Sequence, residues 1–432
     1  MLNFNCVFIM KNLKFKSYYL FIVLLLSFQF VISITSCEDF LDKQPLDQLS
    51  TETFWQGETD AMLGLTGVYH CESLNEWEFW SRKTYHYLFE CTTDNGFEKD
   101  DVMTDFNNGS MNSANPGISK LWKSSYRKIL KCNNFLENID RVSMDDAKKR
   151  EMIAEVRTIR AYNYFYNQFF WGDVPLITKV LTVDEANSVS RNPRTDVVSF
   201  VIDELKDAIQ DLPDERPSEE DGRITKGGAL GILGRVQLAE NKWTDAVNTY
   251  KQIMDMDLYS IDPRFKALFE EKGENSSEIV LKQKRLVDFY GESVLLSSLG
   301  FMWGGYHHFS PYNELVEEFE CIDGKPINES NLYDIDNPYE NRDPRLYKTF
   351  FIHELTKFKG QYWISHPDSN ANVYPDQLTR RPWSGYGMFK YVDEDWTRDA
   401  FDYGSDFIMI RYAEILLSYL EANIEAGNMI TQ

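Results

Sequence analysis

The sequence predicts a mainly α-helical fold in which a scaffold of tetratricopeptide-like helix pairs carries long, loop-rich insertions. Three observations lead to this prediction. Apolar residues recur at helical spacing in several segments that have clear start and stop signals. One of these segments has the pattern of a tetratricopeptide helix pair. Residues 262–400, by contrast, are rich in Gly, Pro, Asn, Asp and aromatic residues, which is typical of long loops with short helices.

The N-terminal residues have the features of a bacterial lipoprotein signal. Three lysines precede an uncharged, mostly apolar segment at 18–34, and small residues stand directly before Cys37. A cysteine in this place becomes the lipid-bearing N-terminus, and its acyl chains hold a protein on a membrane without a spanning helix. Residues 1–36 are therefore predicted to be a lipoprotein signal peptide with its start at Met10, and residues 37–432 a single domain.

An uncleaved transmembrane anchor is the alternative interpretation of segment 18–34. Its 17 residues lie at the lower limit for crossing a bilayer. No basic residues follow it directly as a stop-transfer flank. Lipidation at Cys37 is therefore the favoured interpretation.

Composition narrows the class of protein further. A net charge of -23 argues against nucleic acid as a partner, because no continuous surface could neutralise phosphates. Of the six cysteines, the four outside the signal and the lipidation site show no CxxC spacing, so free thiols or at most one disulfide are expected. Aromatic residues make up 15% of the chain, which is high for a plain helical scaffold and favours a role in stacking.

The first two predicted helices lie in the middle of the chain. One opens with Ser143 and Asp146 at the spacing of a capping box, carries many aromatic residues and ends before Gly172. The next can be capped by Thr195 and is ended by Pro213. Their apolar stripes predict that both helices pack against neighbours in the scaffold.

A helix pair with small residues at its contact follows. Five positions have the residue types of a tetratricopeptide repeat: Leu230, Leu233, Gly234, Ala246 and Tyr250. The segment from Asn241 to Trp243 is predicted to form the turn between the two helices. Small residues allow such helices to approach closely. A last helix is predicted in FIMIRYAEILLSYLEANIEAG, with Gly427 as its stop signal.

These elements divide the mature chain into a scaffold and a loop region. The helical scaffold is expected mainly in residues 120–260 and 405–427, and the loop-rich region mainly in residues 70–115 and 262–400. The loop region contains only brief strand-like pieces, such as SEIVLKQ. Irregular loops on a rigid helical frame are where binding residues usually lie.

Five stretches of the chain resemble the SusD/RagB family of Bacteroidetes surface lipoproteins. They occur in the order found in the family and cover nearly the whole mature chain. They are CEDFLDKQPLDQLSTETFW, LWKSSYRKILKCNNFLENI, AEVRTIRAYNYFYNQFFWGDVPLIT, the NELVEEFECIDGKPINES…NPYENRDPRLYKTF region, and IRYAEILLSYLEA.

The resemblance implies a function as well as a fold. It implies four tetratricopeptide-like helix pairs with loop-rich insertions that carry the ligand site. It further implies a lipid-anchored protein of the outer membrane, facing the exterior, that captures nutrients for a SusC-like TonB-dependent transporter. By the same resemblance, Glu38 and Asp39 after the lipidated cysteine help to route the protein to the outer surface.

One departure from the family pattern lies near the C-terminus. Family members generally continue past the RYAEILLSYLEA helix with a partner helix and a further segment, whereas this chain stops at Gln432. The comparison implies a chain truncated at its C-terminus. The last helix is then expected to lack a surface against which it packs.

Several family hallmarks are interpreted as structural. The turn formed by Asn341, Arg342, Asp343 and Pro344 is favoured by the fixed backbone angle of proline and by an aspartate that accepts from nearby amides. Arg160 and Glu155 lie within an otherwise aromatic helix. They are predicted to form a buried charge network that holds helices together, in preference to a catalytic pair.

Two aromatic clusters are the candidate ligand contacts, because a sugar ring offers C–H faces for stacking and hydroxyl groups for hydrogen bonds. The first consists of Trp77, Trp80, Tyr85, Asp94 and Asn95. The second consists of Tyr290, Trp303, Tyr306 and His307. By resemblance, both correspond to regions that line the family's ligand pocket, although no family motif specifies these residues individually. Ordinary core or loop packing is the alternative for each ring.

No enzyme motif is found in the sequence. His353 and Glu354 begin an HExxH motif whose second histidine is absent, and no GxSxG, Walker or dinucleotide fingerprint occurs. No catalytic residue, metal or cofactor is therefore predicted. Asp334 and Asp336 begin like a calcium loop but lack its later residues, so calcium binding is the alternative there.

The sequence thus predicts a non-catalytic outer-membrane lipoprotein that binds nutrient glycans for a TonB-dependent transporter. A peptide-binding member of the same family is one alternative, and its pocket would favour backbone hydrogen bonds over stacked tryptophan. A helical-repeat scaffold for partner proteins is another, and it would make the loop aromatics dispensable for any small ligand.

Overall fold

The computed structural model of the protein describes residues 54–70, 79–80, 89–98, 104–288, 294–365 and 383–428. The chain divides into two units, Met1–Gln56 and Gly57–Gln432, and all elements described below belong to the second. The predicted signal peptide and the lipidation site Cys37 lie outside the described residues.

Helices form the scaffold, as predicted. Twelve α-helices occur in the described residues: α1 Glu58–Tyr69, α2 Thr104–Asn107, α3 Pro116–Asn138, α4 Asp146–Trp171, α5 Val183–Ser188, α6 Arg194–Asp211, α7 Lys226–Ala239, α8 Trp243–Asp255, α9 Val294–Ser298, α10 Asn313–Glu317, α11 Leu346–Thr349 and α12 Tyr412–Glu425. Single 3-10 turns are formed by Ile139–Arg141, Ser218–Glu220, Ala267–Phe269, Glu271–Gly273, Phe301–Trp303 and Ala400–Asp402.

The long helices pack side by side in chain order. Helix α3 packs on α4, α4 on α6, α6 on α7, and α7 on α8, while α12 returns to pack against α8. Each helix of this row buries one apolar stripe between its neighbours, as Val201, Leu205 and Ala208 do in α6. The mainly α-helical fold is therefore confirmed, and its loops are carried on this row of helices.

The predicted tetratricopeptide-like pair is formed by α7 and α8. Asn241 in the connecting turn adopts a left-handed conformation with φ 56°, which asparagine tolerates better than most residues. A Cβ atom at Gly234 would lie 2.4 Å from the ring of Tyr250, so the close approach of the two helices requires glycine there. Small residues thus place the two helices in contact, as the sequence pattern predicted.

The helix ends show where sequence signals were misread. The N-cap of α4 is Asp145, whose side chain accepts hydrogen bonds from two amides of the first turn, and not Ser143. The helix stops at Gly172 as predicted, with φ 69° at that residue. Helix α6 begins after Pro193 without a side-chain cap, so Thr195 lies inside its first turn. Several polar residues stand near each start, and only backbone geometry decides which of them caps.

Eight short strands form four antiparallel pairs in the described residues. The strands are β1 Gly96–Phe97, β2 Ile279–Gln283, β3 Ser310–Pro311, β4 Phe350–Phe351, β5 Lys357–Phe358, β6 Gln361–Tyr362, β7 Gly387–Met388 and β8 Phe407–Arg411. The pairs are β1–β3, β2–β8, β4–β7 and β5–β6. The strand predicted in SEIVLKQ is confirmed as β2.

Strand β8 corrects the predicted extent of the last helix. The sequence predicts residues 407–411 to belong to the helical scaffold at 405–427, but they pair antiparallel with β2, with Lys282 opposite Ile408 and two register shifts along the pair. Two β-branched isoleucines in the five-residue segment favour the extended conformation. Helix α12 begins only at Tyr412.

The buried charges of α4 form two separate networks. Arg160 places its Nη2 atom 2.6 Å from the carboxylate of Glu204 on α6, and its Nη1 atom donates to Asn133 on α3. Glu155 pairs instead with Arg216 and Arg223. Both side chains are buried and pair with charges on other elements, so the predicted buried charge network that holds helices together is confirmed.

The three cysteines of the described residues, Cys91, Cys132 and Cys321, are buried, and Cys132 and Cys321 are free thiols. Burial raises the pKa of the Cys132 thiol to about 12. A thiol of this kind stays protonated and acts as a small apolar side chain.

A buried ion cluster ties β2 to the segment that precedes β8. The ammonium group of Lys282 lies 2.9 Å from carboxylate oxygens of both Asp221 and Asp406. The backbone amide of Asp406 donates to Glu274, at 3.0 Å. Burial, followed by the negative charge of Asp406, raises the pKa of the Glu274 carboxyl to about 7. Glu274 is therefore protonated in the folded protein over a range where it is ionised in the unfolded chain.

This shift predicts a pH dependence of stability. Because the folded state holds the Glu274 proton more tightly, its contribution to stability is complete below pH 4.5 and is lost as the pH rises through about 7. After allowance for solvent screening, we expect a loss of about 1–2 kcal/mol from this group. Chemical denaturation at a series of pH values should show a smaller decline for Glu274→Gln than for the wild type. Glu271→Gln, at a nearby exposed position, should retain the wild-type decline, and equal profiles for all three proteins would contradict the assignment.

Candidate functional site

Two loop segments, predicted from sequence to hold the ligand, meet in the structure. Strand β1 pairs with β3, with Gly96 opposite Pro311. A Cβ atom at Gly96 would lie 2.6 Å from the ring of Phe309, so this close pairing requires glycine. Residues 89–98 and 303–312, which are distant in sequence, therefore lie side by side.

Backbone and side-chain contacts strengthen this junction. The backbone amide of Tyr312 donates to the backbone carbonyl of Asn95 at 3.0 Å. The Nδ1 atom of His308 lies 3.2 Å from the Glu98 carboxylate, which is buried. The rings of His308 and Tyr306 meet edge to face, with centroids 5.4 Å apart. The Tyr306 ring is thereby held near the protein surface, where its side chain is 39% exposed.

Trp303 lies at the end of a 3-10 turn and rests on the β5–β6 hairpin. Its indole Nε1 donates to the side chain of Gln361 at 3.1 Å, and its ring packs edge-on against Phe358. Both residues of the hairpin turn, Lys359 and Gly360, have positive φ angles, as a tight two-residue turn requires. The ring of Trp303 is half-buried on this support.

The hairpin adds a second exposed ring. Tyr362 on β6 is 49% exposed, and the ammonium of Lys357 lies 4.3 Å from its ring centroid. Residues paired across the strands of a hairpin share one face, so Lys357 and Tyr362 lie on the face opposite to Phe358 and Gln361, which contact Trp303. Trp303 and Gln361 on one face and Tyr362 and Lys357 on the other are together called the Trp303 surface below. It combines aromatic faces with amide and ammonium groups that can hydrogen-bond to a ligand.

Two of the predicted ligand contacts are core residues. Trp80 is only 3% exposed and packs edge-on against Tyr162, with centroids 5.2 Å apart. His307 has no exposed surface, and its ring lies 5.4 Å from that of Trp363. A Cβ atom at Gly387 would lie 2.3 Å from the His307 ring. Neither ring presents a face to a ligand, so both predictions are corrected to packing roles.

The remaining predicted contacts differ in their placement. Asp94 is exposed in a turn, and Asn95 is half-buried with its side-chain amide donating to Glu90 at 2.7 Å. Trp77, Tyr85 and Tyr290 lie outside the described residues.

A cavity of about 670 Å³ opens between the C-terminal part of α4, residues 89–95 and strands β7 and β8. Among the residues that line it are Phe89, Tyr166, Phe170, Asn95, Lys390 and Tyr391. We call this cavity the aromatic cleft. Of the six predicted contacts that lie in described residues, Asn95 alone lines it.

The aromatic wall of this cleft comes from α4. The ring of Phe170 stacks within 25° of the Phe89 plane and within 19° of the Tyr166 plane, at centroid distances of 5.3 and 6.2 Å. Phe170 is 38% exposed, and its neighbour Phe169 is 56% exposed. The aromatic run at the end of α4 was the signal for this wall. Because that helix is apolar around most of its circumference, periodicity alone could not show which rings face outward.

The hallmark turn at residues 341–344 is structural. Arg342 is 3% exposed and donates to backbone carbonyls, including those of Phe319 and Pro338. Asp343 accepts a hydrogen bond from the amide of Arg345 at 2.8 Å. These bonds hold the turn against the segment that follows α10.

The alternative calcium loop shows a local turn. Asp334 accepts hydrogen bonds from the amide of Asp336 and the side chain of Asn337. Within the described ranges, no three His, Cys, Asp or Glu side chains are grouped as a metal site would require. No helix within those ranges is long and apolar enough to cross a membrane.

Comparison with protein families matches both halves of the chain. A profile described as the SusD family matches residues 297–430. A profile described as starch-binding associating with outer membrane matches residues 39–238. A SusD-like protein of Formosa agariphila is 27% identical over 277 residues, which are 61% of this chain and 51% of that relative. A SusD-like protein of Bacteroides ovatus is 29% identical over 48% of this chain and 41% of its own length. The chain thus spans about half the length of these curated relatives.

Solved structures share the fold over most of the chain. A SusD-like carbohydrate binding protein from Bacteroides fragilis has a TM-score of 0.82 and 31% identity, covering 88% of this chain and 76% of its own. A second SusD-like protein from the same species has a TM-score of 0.75, with 24% identity over 90% of this chain and 79% of its own. From the sequence matches and the shared fold together, the chain belongs to the SusD/RagB family.

Proposed function

We propose that the protein is a non-catalytic glycan-binding protein of the bacterial cell surface. The observation that carries this proposal is the Trp303 surface, where half-exposed and exposed rings stand beside hydrogen-bonding side chains on a rigid hairpin. One relative with the same fold is described as a carbohydrate binding protein, and one matching profile as starch-binding. These descriptions support the same class of ligand for this chain.

The chemistry of this surface suits a sugar. The axial C–H groups of a pyranose form an apolar face that can stack on the rings of Trp303 or Tyr362. Beside Trp303 its hydroxyl groups can bond to the Gln361 amide, and beside Tyr362 they can bond to the Lys357 ammonium. Support from the β5–β6 hairpin fixes the indole before binding, which lowers the ordering cost of capture.

A peptide would use such a surface less well. Peptide capture in an extended form relies on an open strand edge with unpaired amides and carbonyls. The Trp303 surface offers side-chain rings and amides instead, so a glycan is the better match. If the protein were only a scaffold for partner proteins, these exposed rings would bind no small ligand. The binding experiment below tests that alternative too.

We further propose that the protein delivers its glycan to a transporter. The lipid on Cys37 would hold the protein at the outer membrane, where it faces the exterior and passes the glycan to a SusC-like TonB-dependent barrel. One matching profile is described as associating with outer membrane, which supports this location. Radiolabelled palmitate incorporation that is lost in Cys37→Ser would test the anchor directly.

Binding of polysaccharides should depend on the Trp303 surface. For Trp303→Ala we expect affinity to fall about five- to thirtyfold, because a stacked aromatic contact contributes on the order of 1–2 kcal/mol. Tyr362→Ala removes a more exposed ring and should weaken the same ligand without disturbing the core. Isothermal titration against a panel of polysaccharides and peptides measures both effects.

Trp243→Ala is the matched control, since Trp243 is a half-buried tryptophan at the start of α8, on the helical scaffold. It should retain wild-type affinity. Unchanged glycan binding in both Trp303→Ala and Tyr362→Ala would refute the proposed surface. Binding of peptides alone would favour the peptide-binding alternative, and a folded protein that binds neither would favour a scaffold.

A further inference from the structure

The aromatic cleft holds a cation whose position calls for a negatively charged partner. Lys390 follows β7, lines the cleft and places its Nζ atom 4.1 Å from the ring centroid of Phe269 and 5.4 Å from that of Phe265. Within the described part of the chain, no hydrogen-bond acceptor and no carboxylate contacts this ammonium group. Aromatic faces attract a cation but do not neutralise it.

The other cations near the cleft are neutralised within the protein. Arg235, which also lines the cleft, pairs in a bidentate manner with Glu414 and donates to the carbonyl of Met409. Arg411 lies 2.7 Å from the carboxylate of Glu278. Lys390 therefore differs from its neighbours: no carboxylate of the described residues contacts it, and Glu90 and Glu278 attract it only from beyond contact distance.

The electrostatic setting of Lys390 agrees with this assignment. Burial and, next, the positive charge of Arg411 lower the pKa of the Lys390 ammonium to about 8. The group is still mainly protonated at neutral pH, but at a cost in free energy that a bound anion would offset.

The lip of the cleft supplies hydrogen-bond acceptors. Glu90, Thr92, Thr93 and Asn95 all line it, and their carboxylate, hydroxyl and amide oxygens are hydrogen-bond acceptors. The side-chain NH2 group of Asn95 already donates to Glu90, which leaves the side-chain carbonyl oxygen of Asn95 as an acceptor for a ligand. A ligand with several hydroxyl donors would satisfy these acceptors.

We propose that the aromatic cleft is a second binding site, and that it takes a carboxylate-bearing sugar. The carboxylate pairs with Lys390, a C–H face of the sugar stacks on Phe170 or Phe89, and the hydroxyl groups bond to the acceptors of the lip. A neutral glycan would leave the ammonium unpaired, and an apolar ligand would leave the lip unsatisfied. The inference rests on the proposed function for the general kind of ligand and adds a separate site with a preference for acidic sugars.

Trigalacturonate and its fully methyl-esterified form are the matched probes, because they differ only in charge and in the added methyl groups. Titration of the full chain should show at least tenfold tighter binding of the acid than of the ester. Lys390→Met should remove that preference, whereas Lys390→Arg should retain most of it. Phe170→Ala, at an exposed ring, should weaken both probes.

Lys206→Met, at an exposed position of α6, is the control for general loss of positive charge, and it should leave both affinities unchanged. Equal affinities for acid and ester in the wild type, or an unchanged preference in Lys390→Met, would overturn the proposal. Neutral polysaccharide binding through Trp303 is measured separately, so its failure would refute the proposed function without affecting the cleft. Absence of an acid preference in the wild type, with neutral polysaccharide binding through Trp303 intact, would refute only the cleft.

Discussion

Replacing Glu155 with alanine is expected to lower the free energy of unfolding by about 3–5 kcal/mol. The Glu155 carboxylate has no exposed surface and is placed between two guanidinium groups. Its Oε1 atom lies 2.5 Å from Arg223 and 3.1 Å from Arg216, and its Oε2 atom accepts from the hydroxyl of Tyr69 at 2.5 Å. Removing the carboxylate would leave the donor groups of Arg216, Arg223 and Tyr69 without this buried acceptor.

The tyrosine links this ion cluster to the first helix of the scaffold. Burial, followed by the charge of Glu155, raises the pKa of the Tyr69 hydroxyl well above its usual value, so the hydroxyl remains a donor. The same oxygen accepts from the amide of Ile224 at 2.9 Å. Helix α1, helix α4 and the segment before α7 are therefore held through one carboxylate.

Glu151→Ala provides the matched control for this prediction. Glu151 lies one helical turn earlier on α4 and contacts the same two arginines, but its side chain is 27% exposed. Water can replace a partly exposed partner, so we expect a loss of about 1 kcal/mol or less. Urea denaturation followed by tryptophan fluorescence compares the two variants. Similar losses for both would show that burial does not set the energy of this cluster.

The helical scaffold could largely be predicted from sequence, and the reason is local. The apolar stripe of α6, the glycine that ends α4 and the close contact of Gly234 with Tyr250 all depend on residues within one or two helices. Strand β8 could not be predicted in this way, because its partner β2 is distant in the sequence. Of its two isoleucines, Ile408 lies four residues before Tyr412 and therefore also fits the helical stripe of α12.

The pairing of buried charges was beyond the reach of sequence for a geometric reason. Glu155 and Arg160 are five positions apart on one helix, so their side chains point in directions that differ by roughly 140°. Each therefore meets a different set of neighbours, Arg223 for the first and Glu204 for the second. Sequence could predict that both residues are buried and paired, but it could not predict their partners.

The candidate site could be predicted only in part. Aromatic loops could be recognised from composition, but exposure alternates between neighbouring residues: Tyr306 reaches the surface while His307 is fully buried. Trp80 is likewise covered by Tyr162. The Phe170 wall and the Lys390 cation come from a helix and a strand end that are distant in sequence. Only the folded chain brings these two together.

Arg342 resembles Glu155 in being a fully enclosed charge, but its partners are backbone atoms. Its Nε atom donates to the carbonyl of Phe319 at 3.0 Å, Nη1 to Pro338 at 2.9 Å, and Nη2 to Val316 at 2.8 Å. The carbonyls of Val316 and Phe319 belong to the end of α10 and the residues just after it. The guanidinium thus joins this helix end to the turn that contains Arg342.

Replacing Arg342 with methionine is expected to lower the free energy of unfolding by about 3–5 kcal/mol. Methionine fills much of the same volume but donates no hydrogen bond, so several buried carbonyl oxygens lose their partner. Arg342→Lys keeps the charge but cannot reproduce the planar array of donors, and an intermediate loss is expected. Thermal and urea denaturation of the full chain measure these differences.

Arg345→Met is the control that separates this role from a general effect of charge. Arg345 lies three residues further along and pairs with Asp343, but its side chain is 61% exposed. Exposed ion pairs of this kind contribute about 1 kcal/mol or less, so the variant should resemble the wild type. If Arg342→Met proved as stable as Arg345→Met, the carbonyl contacts would not hold the turn. A loss in Arg342→Met that Arg342→Lys restores completely would assign the effect to charge instead of to the geometry of the donors.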